Sequence, residues 1–283
     1  MVTGSGVVVT LDGAVVDPLL PAVYADDPML LRGDGVFETL LVRGGRPCLL
    51  EAHLTRLTRS ATITGVPTPD PARWRSAVAA ALARWPGDGD AVLRLVLGRG
   101  RPPAPTAFVT VSAVPDRAVV ARRDGVAAVT LDRSSAGGDV APWSLARVKS
   151  MSYAANAAAL RHAERLGARD VVFVGADGGV LEGPRSTVVI ATDDGTLLTP
   201  PTSLPILRGT TARALFDEAG ERGFACRQER IEVADLVAAQ GVWLLSSVTL
   251  AARVHTLDGV ALRPAPRATE VSALVDAAIE REH

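Results

Sequence analysis

Lysine is almost missing from this chain: of its 30 basic residues a single one, Lys149, is not arginine. A sequence that meets every need for surface charge with arginine yet keeps one lysine points to a position that requires an amine. A guanidinium cannot lose its proton in a protein, whereas an amine can, and can then condense with a carbonyl. A drift from lysine to arginine that left one residue behind at a helix end accounts for the same count, and on the lysine alone both readings stand. Cysteine is nearly as scarce. Cys48 and Cys226 lie far apart without metal-ligand spacing, which argues against a metal site or a disulfide framework and for two buried thiols in a reducing cytosol. Long apolar runs are absent too, since the alanine-rich stretches are broken by Arg, Asp and Pro. No basic segment followed by an apolar run opens the chain, so neither a signal peptide nor a spanning helix is expected, and the expected location is cytoplasmic. Nor is there an excess of charge: a formal net charge of -1 gives no general reason to bind nucleic acid or an anionic membrane, and any anion site must be local.

What is present is an ordinary globular composition. With 283 residues, 48% hydrophobic and 22% charged, the chain can bury one large core or two moderate ones. Residues 7–16 read as a hairpin of β-branched runs around a Gly turn. The glycine-marked loop Leu31-Arg32-Gly33-Asp34-Gly35 runs into the strand Val36-Phe37-Glu38-Thr39-Leu40-Leu41-Val42, and the paired glycines permit positive φ or close backbone approach. Leu50, His53, Leu54 and Leu57 then recur at helical spacing, with Arg56 and Arg59 on neighbouring turns as ordinary surface charge. A second helix starts at Asp70-Pro71, and residues 91–97 and 106–114 alternate as strands. The reading is an α/β (α+β) chain with a smaller N-terminal α/β domain at 1–114, a linker at 115–124 carrying Pro and three Arg, and a larger domain at 125–283.

Within the second domain the Gly-rich run Arg133-Ser134-Ser135-Ala136-Gly137-Gly138 reads as a mobile loop next to the lysine segment. Lys149 is placed at the mouth of a helix that ends at Gly167, with Tyr153 one turn further on the same face. Residues 188–199 read as a hairpin. Leu207-Arg208-Gly209-Thr210-Thr211 opens a helix with free N–H groups, two hydroxyls and the positive end of the dipole, which suits a phosphate; plain capping explains the same residues. The hydroxyl run Ser246-Ser247-Val248-Thr249 directly after a strand is a second possible anion cradle.

Six stretches in one order carry a resemblance. They are Gly33-Asp34-Gly35-Val36-Phe37-Glu38-Thr39, Glu51-Ala52-His53-Leu54-Thr55-Arg56-Leu57, Lys149-Ser150-Met151-Ser152-Tyr153, Leu181-Glu182-Gly183-Pro184-Arg185-Ser186-Thr187, Ile206-Leu207-Arg208-Gly209-Thr210-Thr211 and Ser246-Ser247-Val248-Thr249. Together they resemble the fold-type IV pyridoxal-phosphate enzymes, the class IV aminotransferase family, whose members include branched-chain and D-amino-acid aminotransferases and aminodeoxychorismate lyases. The resemblance implies two α/β domains, a homodimer with the active site near its interface, and pyridoxal 5'-phosphate as cofactor, bound mainly by the C-terminal domain. It implies that Lys149 attaches the cofactor and serves as general base, and that Glu182 holds a proton on the pyridine nitrogen. By the same resemblance Arg56, Gly209, Thr210, Thr211, Ser247 and Val248 bind the phosphate, and Tyr153 approaches the ring hydroxyl or packs in the core.

The sequence departs from the family in three places. Thr187 stands where Asn is common, Leu41 stands where branched-chain aminotransferases carry a carboxylate-binding Arg, and Arg101 is followed by Pro102-Pro103 rather than by the Arg-x-His pair of D-amino-acid aminotransferases. The overall similarity is greatest to the aminodeoxychorismate lyases of folate biosynthesis, which convert 4-amino-4-deoxychorismate to 4-aminobenzoate and pyruvate. The alternative is a class IV aminotransferase acting on D- or branched-chain amino acids. Arg94, Arg99 and Arg101 are candidates for binding the substrate carboxylates, set against ordinary strand-end charge for each.

Overall fold

The computed structural model describes residues 6–133 and 143–281. The chain folds into two compact units. The first comprises the chain up to Pro115 together with Val148–Tyr153; the second comprises Asp116–Arg147 and Ala154–Arg281. The lysine segment therefore belongs to the N-terminal unit although it lies far along the sequence.

The first unit contains β1 (Val7–Thr10), β2 (Val15–Val16), α1 (Pro28–Arg32), β3 (Gly35–Arg43), β4 (Arg46–Pro47), α2 (Leu50–Thr64), α3 (Pro71–Leu82), β5 (Ala91–Gly98) and β6 (Thr106–Ala113). Its strands form one antiparallel sheet in the order β2-β1-β6-β5-β3-β4. Alternation along β3 sends Val36, Leu40 and Val42 into the core with Leu93, Leu95 and Leu97 of β5, while Leu54, Leu57 and Ala61 of α2 and Trp74, Ala77 and Val78 of α3 cover them. The helices begin where the sequence gives them a start: Pro71 occupies the first turn of α3, and Asp70 accepts a hydrogen bond from Ala72 N at 2.8 Å.

The second unit contains α4 (Asp116–Asp124), β7 (Val126–Asp132), α5 (Ala154–Arg165), β8 (Asp170–Val174), β9 (Thr187–Ala191), β10 (Leu197–Thr199), α6 (Thr210–Glu221), β11 (Cys226–Gln228), α7 (Val233–Ala238), β12 (Gly241–Ser246), β13 (Leu250–Leu257), β14 (Val260–Ala261) and α8 (Ala268–Glu280). Its sheet runs β11-β10-β9-β12-β13-β7-β8, with β14 on β13. β7 pairs in parallel with both β13 and β8, and every residue of β9 is buried, as expected for a strand covered on both faces. The hairpin at 188–199 is present as β9 and β10.

Two local readings change. The segment 115–124, taken as a connection because of its proline and arginines, is the helix α4: Asp116 lies in its first turn, Arg122 and Arg123 in its last, and Ala118 and Ala121 are buried. That charge order complements the helix dipole, so the same residues that suggested a solvated link stabilise a helix. The helix expected to carry Lys149 and Tyr153 starts only at Ala154. Before it the backbone is extended and bound to β3: Phe37 N donates to Lys149 O at 3.0 Å and Met151 N to Gly35 O at 2.8 Å, with Val36 bridging Ser150. Of the Gly-rich loop after β7, only Arg133 falls among the described residues. Among the described residues no helix is long and apolar enough to cross a membrane.

Candidate active site

The lysine segment reaches β3 because glycine leaves room for it. A Cβ on Gly33, whose φ is 67°, would come within 2.6 Å of Ser152 Oγ. One on Gly35 would meet Leu97 O at 2.9 Å and Met151 Cγ at 3.2 Å. The expected close approach at this pair is thus the docking of 149–152 on the sheet, and it fixes the side chain that follows. Lys149 Nζ lies 4.6 Å from the centre of the Phe37 ring, and Tyr153 packs edge-on against the same ring at 5.9 Å. An ammonium over an aromatic face is stabilised by the ring quadrupole, by about 0.5–1 kcal/mol where solvent reaches it. Tyr153 therefore meets Lys149 through Phe37 and not along a shared helix face.

Arg56 is not a solvated surface charge. It projects from α2 onto Glu38 of β3, donating from Nε to Oε1 at 2.7 Å and from Nη2 to Oε2 at 2.6 Å. His53 Nδ1 lies 2.7 Å from the same Oε2, and since a carboxylate only accepts, Nδ1 carries the proton and donates. Glu38 and His53 are completely buried, and Arg56 nearly so. Burial by itself pushes the Glu38 carboxyl up, but the guanidinium charge, its hydrogen bonds and the imidazole outweigh it and bring the group down to about 2. Burial holds the His53 imidazole below its ordinary value, against the pull of Glu38 and with the help of Arg56 and Lys149.

These shifts set an acid limit on stability. Glu38 titrates lower when folded than unfolded, so its contribution is present above about 4.5 and is lost as pH falls toward about 2. His53 also titrates lower when folded, so its protonation opposes the fold as pH drops below 6.5. Both act in one direction. Chemical denaturation at a series of pH values is expected to show stability falling from neutrality and most steeply below about 4.5, and Glu38→Gln to flatten that lower limb. A stability flat from pH 6 to about 3 would contradict these assignments.

The three arginines nominated for substrate carboxylates separate. Arg99 grips Asp34 with Nε at 2.6 Å and Nη2 at 3.2 Å and donates to Gly65 O at 3.0 Å and Thr64 O at 3.1 Å, which makes it a brace between the loop before β3 and the end of α2. Arg101 is exposed, with Asp26 at 3.4 Å and the Tyr24 ring centre 4.8 Å away. Arg94 is exposed in β5, paired in register with Thr39 and Thr110, on the sheet face that also carries Phe37.

In the second unit Glu182 sits in an extended segment before β9, where Phe173 N donates to its carbonyl at 2.8 Å. Its side chain is nearly buried and held from both sides: Arg133 Nη1 donates to Oε1 at 2.6 Å and Leu207 N to Oε2 at 2.9 Å. Arg133, whose guanidinium also lies 5.2 Å from the Phe173 ring centre, had been noted only as part of the loop. The peptide that follows Leu207 leads into α6, which starts at Gly209 with no side-chain cap and no acidic residue in its first turn. A Cβ on Gly209 would collide with Thr187 Oγ1, so only glycine lets this helix start pack on β9. Thr211 Oγ1 lies 3.5 Å from Ser247 Oγ, which brings the second hydroxyl stretch to the same helix end. Arg122 of α4 anchors that turn by donating to Val248 O from Nε at 3.0 Å and Nη2 at 2.5 Å.

Neither Glu38 nor His53 is assigned a role from the sequence. A signal for both existed: Glu38 occupies an inward position of an alternating strand between Val36 and Leu40, and His53 an apolar-phase position of α2.

The first unit carries an amine against an aromatic ring, and the second a carboxylate clamped by two donors and a helix start whose N-cap is a glycine followed by two hydroxyl residues. Residues 35–257 match the family model described as amino-transferase class IV, and the chain belongs to that family. It is 57% identical, over 96% of its length and 98% of the relative's, to a Mycobacterium tuberculosis protein named bifunctional aminodeoxychorismate lyase / D-amino acid transaminase. Among solved structures it is similar to a hypothetical aminotransferase from Mycobacterium tuberculosis in PLP-bound form, with a TM-score of 0.94 and 57% identity over 97% of this chain and 99% of that one. It is also similar to a fold IV-transaminase from Curtobacterium pusillum, with a TM-score of 0.89 and 39% identity over 97% and 98% of the two chains.

Proposed function

We propose that the protein is a pyridoxal 5'-phosphate enzyme that converts 4-amino-4-deoxychorismate to 4-aminobenzoate and pyruvate. The observation that carries this reading is the 57% identity, across nearly the whole of both chains, to the relative named for that lyase activity. The donor set supports the cofactor. Lys149 is the chain's only side-chain amine. The start of α6 lacks a capping side chain, and Glu182 is a nearly buried carboxylate fixed by two donors. Lys149 would hold the aldehyde, Arg56, Gly209, Thr210, Thr211, Ser247 and Val248 the phosphate, Glu182 the pyridine nitrogen, and Tyr153 the ring hydroxyl.

When bound, the cofactor supplies an aldehyde that captures an amine and a ring that draws electrons from the carbon bearing it. Lys149 Nζ would take the proton from the amine-bearing carbon of the substrate, and the neighbouring enolpyruvyl group would leave as enolpyruvate, which takes up a proton to become pyruvate. Aromatisation of the remaining ring drives the step, so the protein's part is a placed base and an oriented substrate. Glu182 would keep a proton on the pyridine nitrogen, and Arg133 and Leu207 N keep Glu182 in place. Arg94 is the arginine proposed for a substrate carboxylate, because it lies on the sheet face of Phe37 while Arg99 is committed to Asp34. The protein is further proposed to be cytoplasmic and to work as a homodimer with the site near its interface.

The relative's second name supports a second reading, transamination of D-amino acids. Purified protein loaded with cofactor and given 4-amino-4-deoxychorismate is expected to release 4-aminobenzoate and pyruvate in equal amounts. Given D-alanine or L-amino acids alone, it is expected to convert to its pyridoxamine form more slowly than the lyase turns over. Rapid conversion with no pyruvate from the chorismate derivative would replace the first reading by the second.

A further inference from the structure

Arg56 reaches its place through two residues that the proposed chemistry does not use. Glu38 is a carboxylate in the apolar row of β3, between Val36 and Leu40, with no exposure. A buried charge in such a row persists only when fully paired. Its pairing is specific: both carboxylate oxygens meet one edge of the Arg56 guanidinium, at 2.7 and 2.6 Å, and His53 donates to the same Oε2 as Arg56 Nη2, with Nδ1 3.5 Å from that nitrogen. A two-point contact fixes the plane of a guanidinium as well as its position, which a single ion pair does not do.

We propose that Glu38 and His53 are positioning residues for the cofactor phosphate: Glu38 sets the plane of the Arg56 guanidinium, and His53 holds Glu38, so that Arg56 meets the phosphoryl group already oriented. The inference rests on the assignment of Arg56 as a phosphate ligand. Preorganisation of this kind improves binding by removing the cost of ordering a long side chain at the moment of contact.

The test compares pyridoxal 5'-phosphate with pyridoxal, which has the same aldehyde and ring but no phosphate, by titrating the full-length apoprotein and following absorbance and the ³¹P resonance of bound cofactor. Glu38→Gln is expected to weaken pyridoxal 5'-phosphate on the order of tenfold or more, to leave pyridoxal unchanged, and to move the ³¹P signal. His53→Leu is expected to do the same to a smaller degree, and His53→Asn, which keeps an N–H near the place of Nδ1, to restore wild-type binding. Should Glu38→Gln fail to fold, the His53 pair carries the comparison. Unchanged affinity for the phosphate form in Glu38→Gln and His53→Leu, or an equal loss for both ligands, overturns the proposal. If Arg56→Gln itself leaves the ratio of the two affinities unchanged, the assignment of Arg56 fails; if Arg56→Gln lowers it and the other variants do not, only the positioning role fails.

Discussion

Lys149→Ala is expected to lose lyase turnover by on the order of 10⁴-fold, the upper range for a placed general base, and to lose covalent attachment of the cofactor with it. Lys149→Arg is expected to do no better, although it keeps the charge and the contact with Phe37, because a guanidinium neither gives up its proton nor condenses with an aldehyde. That pair of variants separates the two readings that the sequence left open. If Lys149 were the residue of a drift toward arginine, Arg would serve there as it does at the other basic positions. Steady-state release of pyruvate measures the effect, and the thermal transition of each variant checks that 149–152 still docks on β3. Turnover in Lys149→Arg within tenfold of the unsubstituted protein would remove Lys149 from the chemistry.

Glu182→Gln carries the second large effect. The amide keeps the size of the side chain and can still accept from Leu207 N, but it gives Arg133 no counter-charge and cannot hold a proton on a pyridine nitrogen. Loss of an electrostatic contact of this kind costs turnover on the order of 10²–10³-fold. The unpaired guanidinium costs about 2 kcal/mol of stability, because Arg133 and Glu182 are both mostly shielded from water. Removing Arg133 as well, in Glu182→Gln with Arg133→Gln, should recover most of the stability and none of the turnover. Recovery of turnover in the double variant would show that Glu182 acts only as a structural partner of Arg133.

The parts of this site that could be read from sequence were those that stand out one residue at a time. Lys149 is singular by count, and Gly209-Thr210-Thr211 sits at a helix start that periodicity alone places. Gly33 and Gly35 announced a close approach without saying what approaches, since the partner, 149–152, lies more than 100 residues away in the chain. The helix was extended back over Lys149 and Tyr153 because an alanine-rich pattern has no visible beginning. What ends it is the bonding of Gly35 and Phe37 to the lysine segment, a tertiary competition that local propensity does not contain. The Glu38, His53 and Arg56 cluster was hidden for a related reason. Arg56 looks like surface charge until β3 supplies its partner, and the three residues come from two elements whose packing must be known first. Arg99 shows the converse, a plausible substrate ligand that the fold uses to hold Asp34.

The most direct measurement is the site of covalent capture. Protein incubated with pyridoxal 5'-phosphate, treated with borohydride, digested and mapped by mass spectrometry is expected to carry one phosphopyridoxyl group per chain, on the peptide containing Lys149. A reduced, cofactor-treated protein whose Lys149 peptide retains its unmodified mass would contradict the proposal that this amine is where the chemistry happens.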